Sequence, residues 1–104
     1  VNFFMDLFQP MERYFSAYDE SFSAANSPIT LDIKGSLNTP AKFGYIKCPS
    51  KNAKILVEIS TDGTNYGSQF VVDKYETFPL FGLKVCKVRI THSGTDSAYR
   101  VWAR

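Results

Sequence analysis

From Pro28 to the end of the chain, hydrophobic and polar residues alternate with period two. Ile29, Leu31 and Ile33 alternate with Thr30, Asp32 and Lys34 until Gly35-Ser36 ends the run. Ala41, Phe43 and Tyr45 then alternate with Lys42, Gly44 and Ile46, and Ile46 alternates with Cys48 before Pro49-Ser50. Within Lys54 to Ser60, Ile55, Val57 and Ile59 form one face and Leu56 and Glu58 the other. Thr61-Asp62-Gly63-Thr64-Asn65 follows as a hairpin signal, because Asp-Gly supplies the positive φ that a tight reversal needs, and a return strand is expected over Ser68 to Val72. Thr77 to Leu83 reads as an edge strand or an irregular crossing rather than a central strand, since Pro79 cannot donate to a neighbour. Lys84 to Thr91 puts Cys86, Val88 and Ile90 on one face, a Ser93-Gly94-Thr95-Asp96 turn follows, and Ala98 to Arg104 is the last strand.

Short strands 8–12 residues apart, without a crossover long enough to be a helix, predict an all-β fold. The expected architecture is an antiparallel, jelly-roll-like β-sandwich of about six to eight strands.

The first 27 residues follow another period. Phe4, Phe8, Met11, Phe15, Tyr18 and Phe22 recur at spacings of 4, 3, 4, 3 and 4, which forms one stripe of a helix. Pro10 belongs in a first turn rather than an interior, so the stripe predicts an extended arm followed by a helix from about Pro10 to Phe22. Met11 to Ala17 also tolerates a strand, because Phe and Tyr are good strand formers. The chain thus divides into an N-terminal arm or helix, 1–27, and a β-sandwich, 28–104.

Charge follows this division. Residues 1–27 carry Asp6, Glu12, Asp19 and Glu20 against Arg13, a net −3, whereas the eleven Lys and Arg from Pro28 onward outnumber six acids, a net +5. The formal total of +2 conceals an acidic, aromatic leader joined to a basic body. Opposite signs suit docking of the leader on its own body or on a neighbouring copy. The chain starts at Val1 rather than Met, as a trimmed or processed chain would, and lacks the basic-then-apolar order of a secretory signal. No run approaches the roughly 18 apolar residues of a membrane helix, so no membrane partner is expected.

With 104 residues, 44% hydrophobic and 15% aromatic, the chain can form one core without metal or dense disulfides, and no cofactor is expected. One His and two Cys leave little for catalysis, which argues against an enzyme. His92 reads as a solvated turn residue. Cys48 and Cys86 read as buried thiols or as one disulfide. The acid pairs Glu58 with Asp62 and Asp73 with Glu76 flank turns, where carboxylates are ordinarily solvated; zinc has no ligand cluster, and no metal is expected beyond weak calcium binding left open at the Asp62 turn.

The last strand carries the strongest binding signal. Arg100, Trp102 and Arg104 share one face, and Tyr99, Val101 and Ala103 share the better core face. Facing outward, Trp102 would lie between two arginines with Lys87 and Arg89 alongside, a surface able to stack a sugar, a base or another protein. Facing inward, it would be core covered by the leader. A net +2 disfavours a dedicated nucleic-acid binder, and carbohydrate, with Tyr66, Tyr75, Tyr99 and Trp102 as the rings, is the better small-ligand alternative.

Two resemblances add to this reading. Val57 to Tyr66 resembles the strand, Ser-x-Asp-Gly-x-x-aromatic hairpin of discoidin-like and carbohydrate-binding sandwiches. Ser27 to Ile33, the Ser60 to Tyr66 hairpin and Val88 to Trp102 together resemble small all-β virion structural proteins of tailed bacteriophages, of the decoration (cement), head-fibre or tail-accessory kind. That second resemblance covers roughly 28–104 and implies a homo-oligomeric virion part, assembled in the host cytoplasm, that binds a capsid or tail protein. The Phe4–Phe22 stripe would then serve as an assembly arm or close the protein's own sandwich.

Overall fold

The computed structural model describes residues 14–93 and 97–104. Eight strands run in chain order: β1 (Phe15–Phe22), β2 (Ile29–Asp32), β3 (Ala41–Lys47), β4 (Ile55–Ser60), β5 (Phe70–Val72), β6 (Thr77–Val85), β7 (Lys87–His92) and β8 (Ser97–Ala103). A 3-10 turn (Ala24–Asn26) precedes β2, and a one-turn helix, α1 (Ile33–Leu37), follows it. The strands form two antiparallel four-stranded sheets, β1-β8-β3-β6 and β2-β7-β4-β5, packed face to face as an all-β sandwich.

Period-two patterning builds both inner faces. Val88 and Ile90 on β7, Ile55 and Val57 on β4, and Val72 on β5 meet Tyr99, Val101 and Ala103 on β8, Ile46 on β3, and Leu80 and Val85 on β6. Phe70 and Phe78 join the two sheets with centroids 4.4 Å apart. Each fully buried aliphatic or aromatic side chain stabilises the fold by about 1.5–3 kcal/mol before ordering costs. Pro79 lies on β6, an edge strand, as its missing N–H requires.

The structure changes several local expectations. Residues 15–22, expected to be helical, form an edge strand against β8, with Phe15 opposite Ala103 and Tyr18 opposite Arg100. A helix here would leave one side of β8's backbone without partners, whereas the strand satisfies those groups. Phe15 and Ala17 pack against the core, Tyr18 faces out, and an irregularity between Asp19 and Phe22 turns Phe22 fully inward. Asp19 stabilises that irregularity by accepting the Ser21 N–H at 2.8 Å. The aromatic spacing therefore does not form one stripe: Tyr18 and Phe22 lie on opposite sides of the sheet, and Phe4, Phe8 and Met11 lie outside the described residues.

Ile33, expected in the first strand, begins α1, because Asp32 accepts the Gly35 N–H at 3.0 Å and caps the turn. The return strand after the Asp62-Gly63 turn starts at Phe70 rather than Ser68. β6 continues to Val85, and Cys86 marks the passage to the opposite sheet, its N–H donating to the Ser60 carbonyl and its own carbonyl accepting from Lys34.

Candidate functional site

β8 alternates regularly, so burying Tyr99, Val101 and Ala103 turns Arg100, Trp102 and Arg104 outward. Trp102 is half-buried by other outward rings rather than by the sandwich interior. Register places Tyr45 of β3 directly opposite Trp102, and Phe43 opposite Phe81 of β6. The Tyr45 and Trp102 rings are nearly parallel, with centroids 6.3 Å apart and planes 16° apart, and Tyr14 lies on Trp102's other flank at 6.3 Å and 22°. Phe43 leans toward Trp102 at 6.4 Å, and Phe81 is 74% exposed. Together these rings cross the outer face of the β1-β8-β3-β6 sheet.

Phe43, Gly44, Tyr45, Phe81 and Trp102 enclose an open groove of about 400 Å³. Gly44 makes this approach feasible: a Cβ there would overlap the Trp102 carbonyl oxygen and lie 2.7 Å from the Ala103 Cα. Any side chain at position 44 would push β3 away from β8.

Cations rim the rings. The Arg104 guanidinium lies 4.7 Å from the Phe43 centroid and 5.9 Å from that of Trp102. Arg100 lies 5.8 Å above Tyr18 and 3.5 Å from Glu20. These contacts draw on the negative faces of the rings while the cations stay in water.

Lys87 and Arg89 do not join this surface. The chain returns to the other sheet between β6 and β8, so β7 pairs with β2 and β4 and carries both residues on the opposite outer face. Arg89 donates two hydrogen bonds to Glu58, at 3.0 and 3.1 Å, and its guanidinium sits 4.1 Å over Tyr66. That carboxylate pairing holds the guanidinium pKa above its ordinary value. The expected sugar-binding set is scattered likewise: Tyr99 is core, with burial and then Asp19 raising its phenol pKa; Tyr66 lies beneath Arg89, and Tyr75 is exposed in the β5–β6 turn.

The remaining chemical candidates serve local structure. Asp62 accepts the Asn65 and Thr64 backbone N–H groups at 2.7 and 2.8 Å, together with the Asn65 side-chain amide and the Ser60 hydroxyl. These donors hold its carboxyl far below the usual carboxylate range. Glu76 accepts the Asp73 N–H at 2.8 Å. His92, expected in a solvated turn, ends β7 half-buried, with its ring edge-on to Phe22 at 6.2 Å. Both cysteines are free thiols: Cys48 donates to the Ala53 carbonyl and Cys86 to the Thr61 carbonyl, each at 3.2 Å. Among the described residues no three His, Cys, Asp or Glu side chains converge as a metal set, and no helix is long and apolar enough to cross a membrane.

Sequence reasoning placed Phe43 and Tyr45 on one face with Ala41, yet Ala41 is buried and both rings face out. An irregularity between Ala41 and Phe43 reverses the parity. The alternation of Ile46 with Cys48 is the available signal: both are fully buried, which turns Tyr45 outward. No family model matches the chain, and no curated protein and no solved structure is found to be similar to it.

Proposed function

We propose that the protein is a non-enzymatic assembly module that binds another protein surface through the outer face of the β1-β8-β3-β6 sheet. We assign it to the virion structural class, as a capsid decoration or tail-accessory sandwich. The carrying observation is the apolar groove around Trp102 with its cationic rim, because exposed rings bordered by polar groups have the composition of an interface centre and its surround. The sheet's edges support assembly through a face rather than by strand addition. Pro79, the positive φ of Gly82 and Lys84 blunt β6, and the irregularity after Asp19 interrupts β1.

Quantitative mass spectrometry of purified particles tests this reading. Recovery at a fixed copy number per particle, reduced at least about tenfold by Phe81→Glu in a chain that still folds, is expected. Absence from particles, or unchanged incorporation of the variant, would overturn it.

A second reading draws on the near-parallel Tyr14, Trp102 and Tyr45 rings beside Arg104, a geometry that suits a sugar ring or an unstacked base. Titration with oligosaccharides and single-stranded DNA while following Trp102 fluorescence decides it. A saturable shift favours that reading, and a flat response removes it.

A further inference from the structure

Resting on the assembly reading, we infer that the groove formed by Phe43, Gly44, Tyr45, Phe81 and Trp102 is the seat for residues 1–13 of a second copy of this chain. The chemistries match. Residues 1–13 contain Phe3, Phe4, Met5, Leu7, Phe8 and Met11 together with Asp6 and Glu12, against the single cation Arg13. The groove offers aromatic walls and a floor at Gly44 without a side chain, with Arg104 over two of the wall rings. Open on one side and about 400 Å³ in volume, it admits a few apolar side chains of an extended segment. Asp6 and Glu12 of the segment carry the charge opposite to that of Arg104 beside the groove.

Connectivity favours a neighbour as the donor. Tyr14, which immediately follows the segment, lies at the Arg104 end of β8 with its ring on one flank of Trp102. The groove opens on the opposite flank, toward β6. To reach its own groove the chain must turn across the Arg104 end of the sheet immediately before Tyr14, whereas the segment of a second copy can enter extended. Thirteen residues span up to about 45 Å when extended, enough to bridge two sandwiches. The same chain supplies segment and seat, so two copies can exchange segments reciprocally about a two-fold axis, or each copy can pass its segment to the next around a closed ring.

Pairwise cross-linking in the full-length protein tests the inference. One chain carries Phe8→Cys and another Phe81→Cys; Phe81 is exposed, whereas the native Cys48 and Cys86 are buried. Mixing under mild oxidation should give a disulfide between the two chains, at least about tenfold more abundant than with a control chain carrying Val71→Cys on the other sheet. Arg104→Glu in the recipient should weaken the link, and Asp6→Lys in the donor should restore it.

Equal linkage to position 71 would overturn the inference. So would a link that forms only within one chain when both cysteines are placed together, because the segment would then cover its own body. Fixed particle incorporation that depends on Phe81, without any 8-to-81 link, would reject this seat while leaving the assembly reading intact. An inter-chain link in a protein absent from particles would support the seat and reject the virion role.

Discussion

The two outer faces of the sandwich are built by the same alternation but finished differently. On the β2-β7-β4-β5 sheet, outward charge is settled within the molecule: Arg89 is forked onto Glu58 and lies over Tyr66. On the β1-β8-β3-β6 sheet the outward residues around Trp102 are rings, which meet one another and leave Phe81, Tyr14 and Tyr18 exposed. Inner faces must exclude water, so both sheets carry aliphatic residues there. Outward positions are under no such constraint, and here they differ: an ion pair on one face, a cluster of rings on the other.

The largest expected effect tests what the faces share. Phe22→Ala should destabilise the protein by about 3–5 kcal/mol, because Phe22 is fully buried and packs edge-on to Tyr99 at 5.2 Å. Urea denaturation followed by circular dichroism measures this, and a cost below about 1 kcal/mol would show that β1 is not integral to the core.

Gly44→Ala should come next, at about 1–3 kcal/mol, since the added Cβ would meet the backbone of Trp102 and Ala103. It should also shift Trp102 emission while leaving the Glu58–Arg89 pair in place. Unchanged fluorescence and stability would mean that β3 and β8 can separate freely.

A smaller effect, confined to acid, belongs to the other sheet. The Asp62 carboxyl is lowered in the folded protein, so its contribution is fully present above its unfolded value of about 3.9 and fades as pH falls below that. Asp62→Asn should therefore flatten the loss of stability as pH falls from about 4 to about 2. An identical pH profile would place the acid sensitivity elsewhere.

The smallest change in stability is expected for Phe81→Ser, within about 0.5 kcal/mol, because the ring is 74% exposed. Its consequence should instead appear as lower self-association in sedimentation equilibrium. A large loss of stability would reassign Phe81 to the folded core and erase the contrast between the faces.

How much of this was legible varies by segment. Ile55 and Val57, Val88 and Ile90, and Val101 and Ala103 announce their inner faces by alternation, and Pro79 announces an edge. Phe15, Tyr18 and Phe22 mislead because spacings of 3 and 4 fit a helix, yet they also arise in a strand whose parity changes at an irregularity. The same device between Ala41 and Phe43 concealed the outward rings of β3. Arg100, Trp102 and Arg104 were recognisable as one face of the last strand. Their separation from Lys87 and Arg89 was not, because the order of strands depends on which sheet each loop returns to.

By itself, then, the amino-acid order determined an all-β sandwich, most of its strands, the polarity of β8 and the charge contrast between the leader and the body. Those properties follow from local periodicity and turn chemistry, which act over a few residues. Only the tertiary structure decided that residues 15–22 complete a sheet, that Trp102 lies between Tyr14 and Tyr45, and that Gly44 and Phe81 help shape a groove beside it. Those outcomes depend on long-range backbone pairing and on register, and neither is written in the period of a single strand.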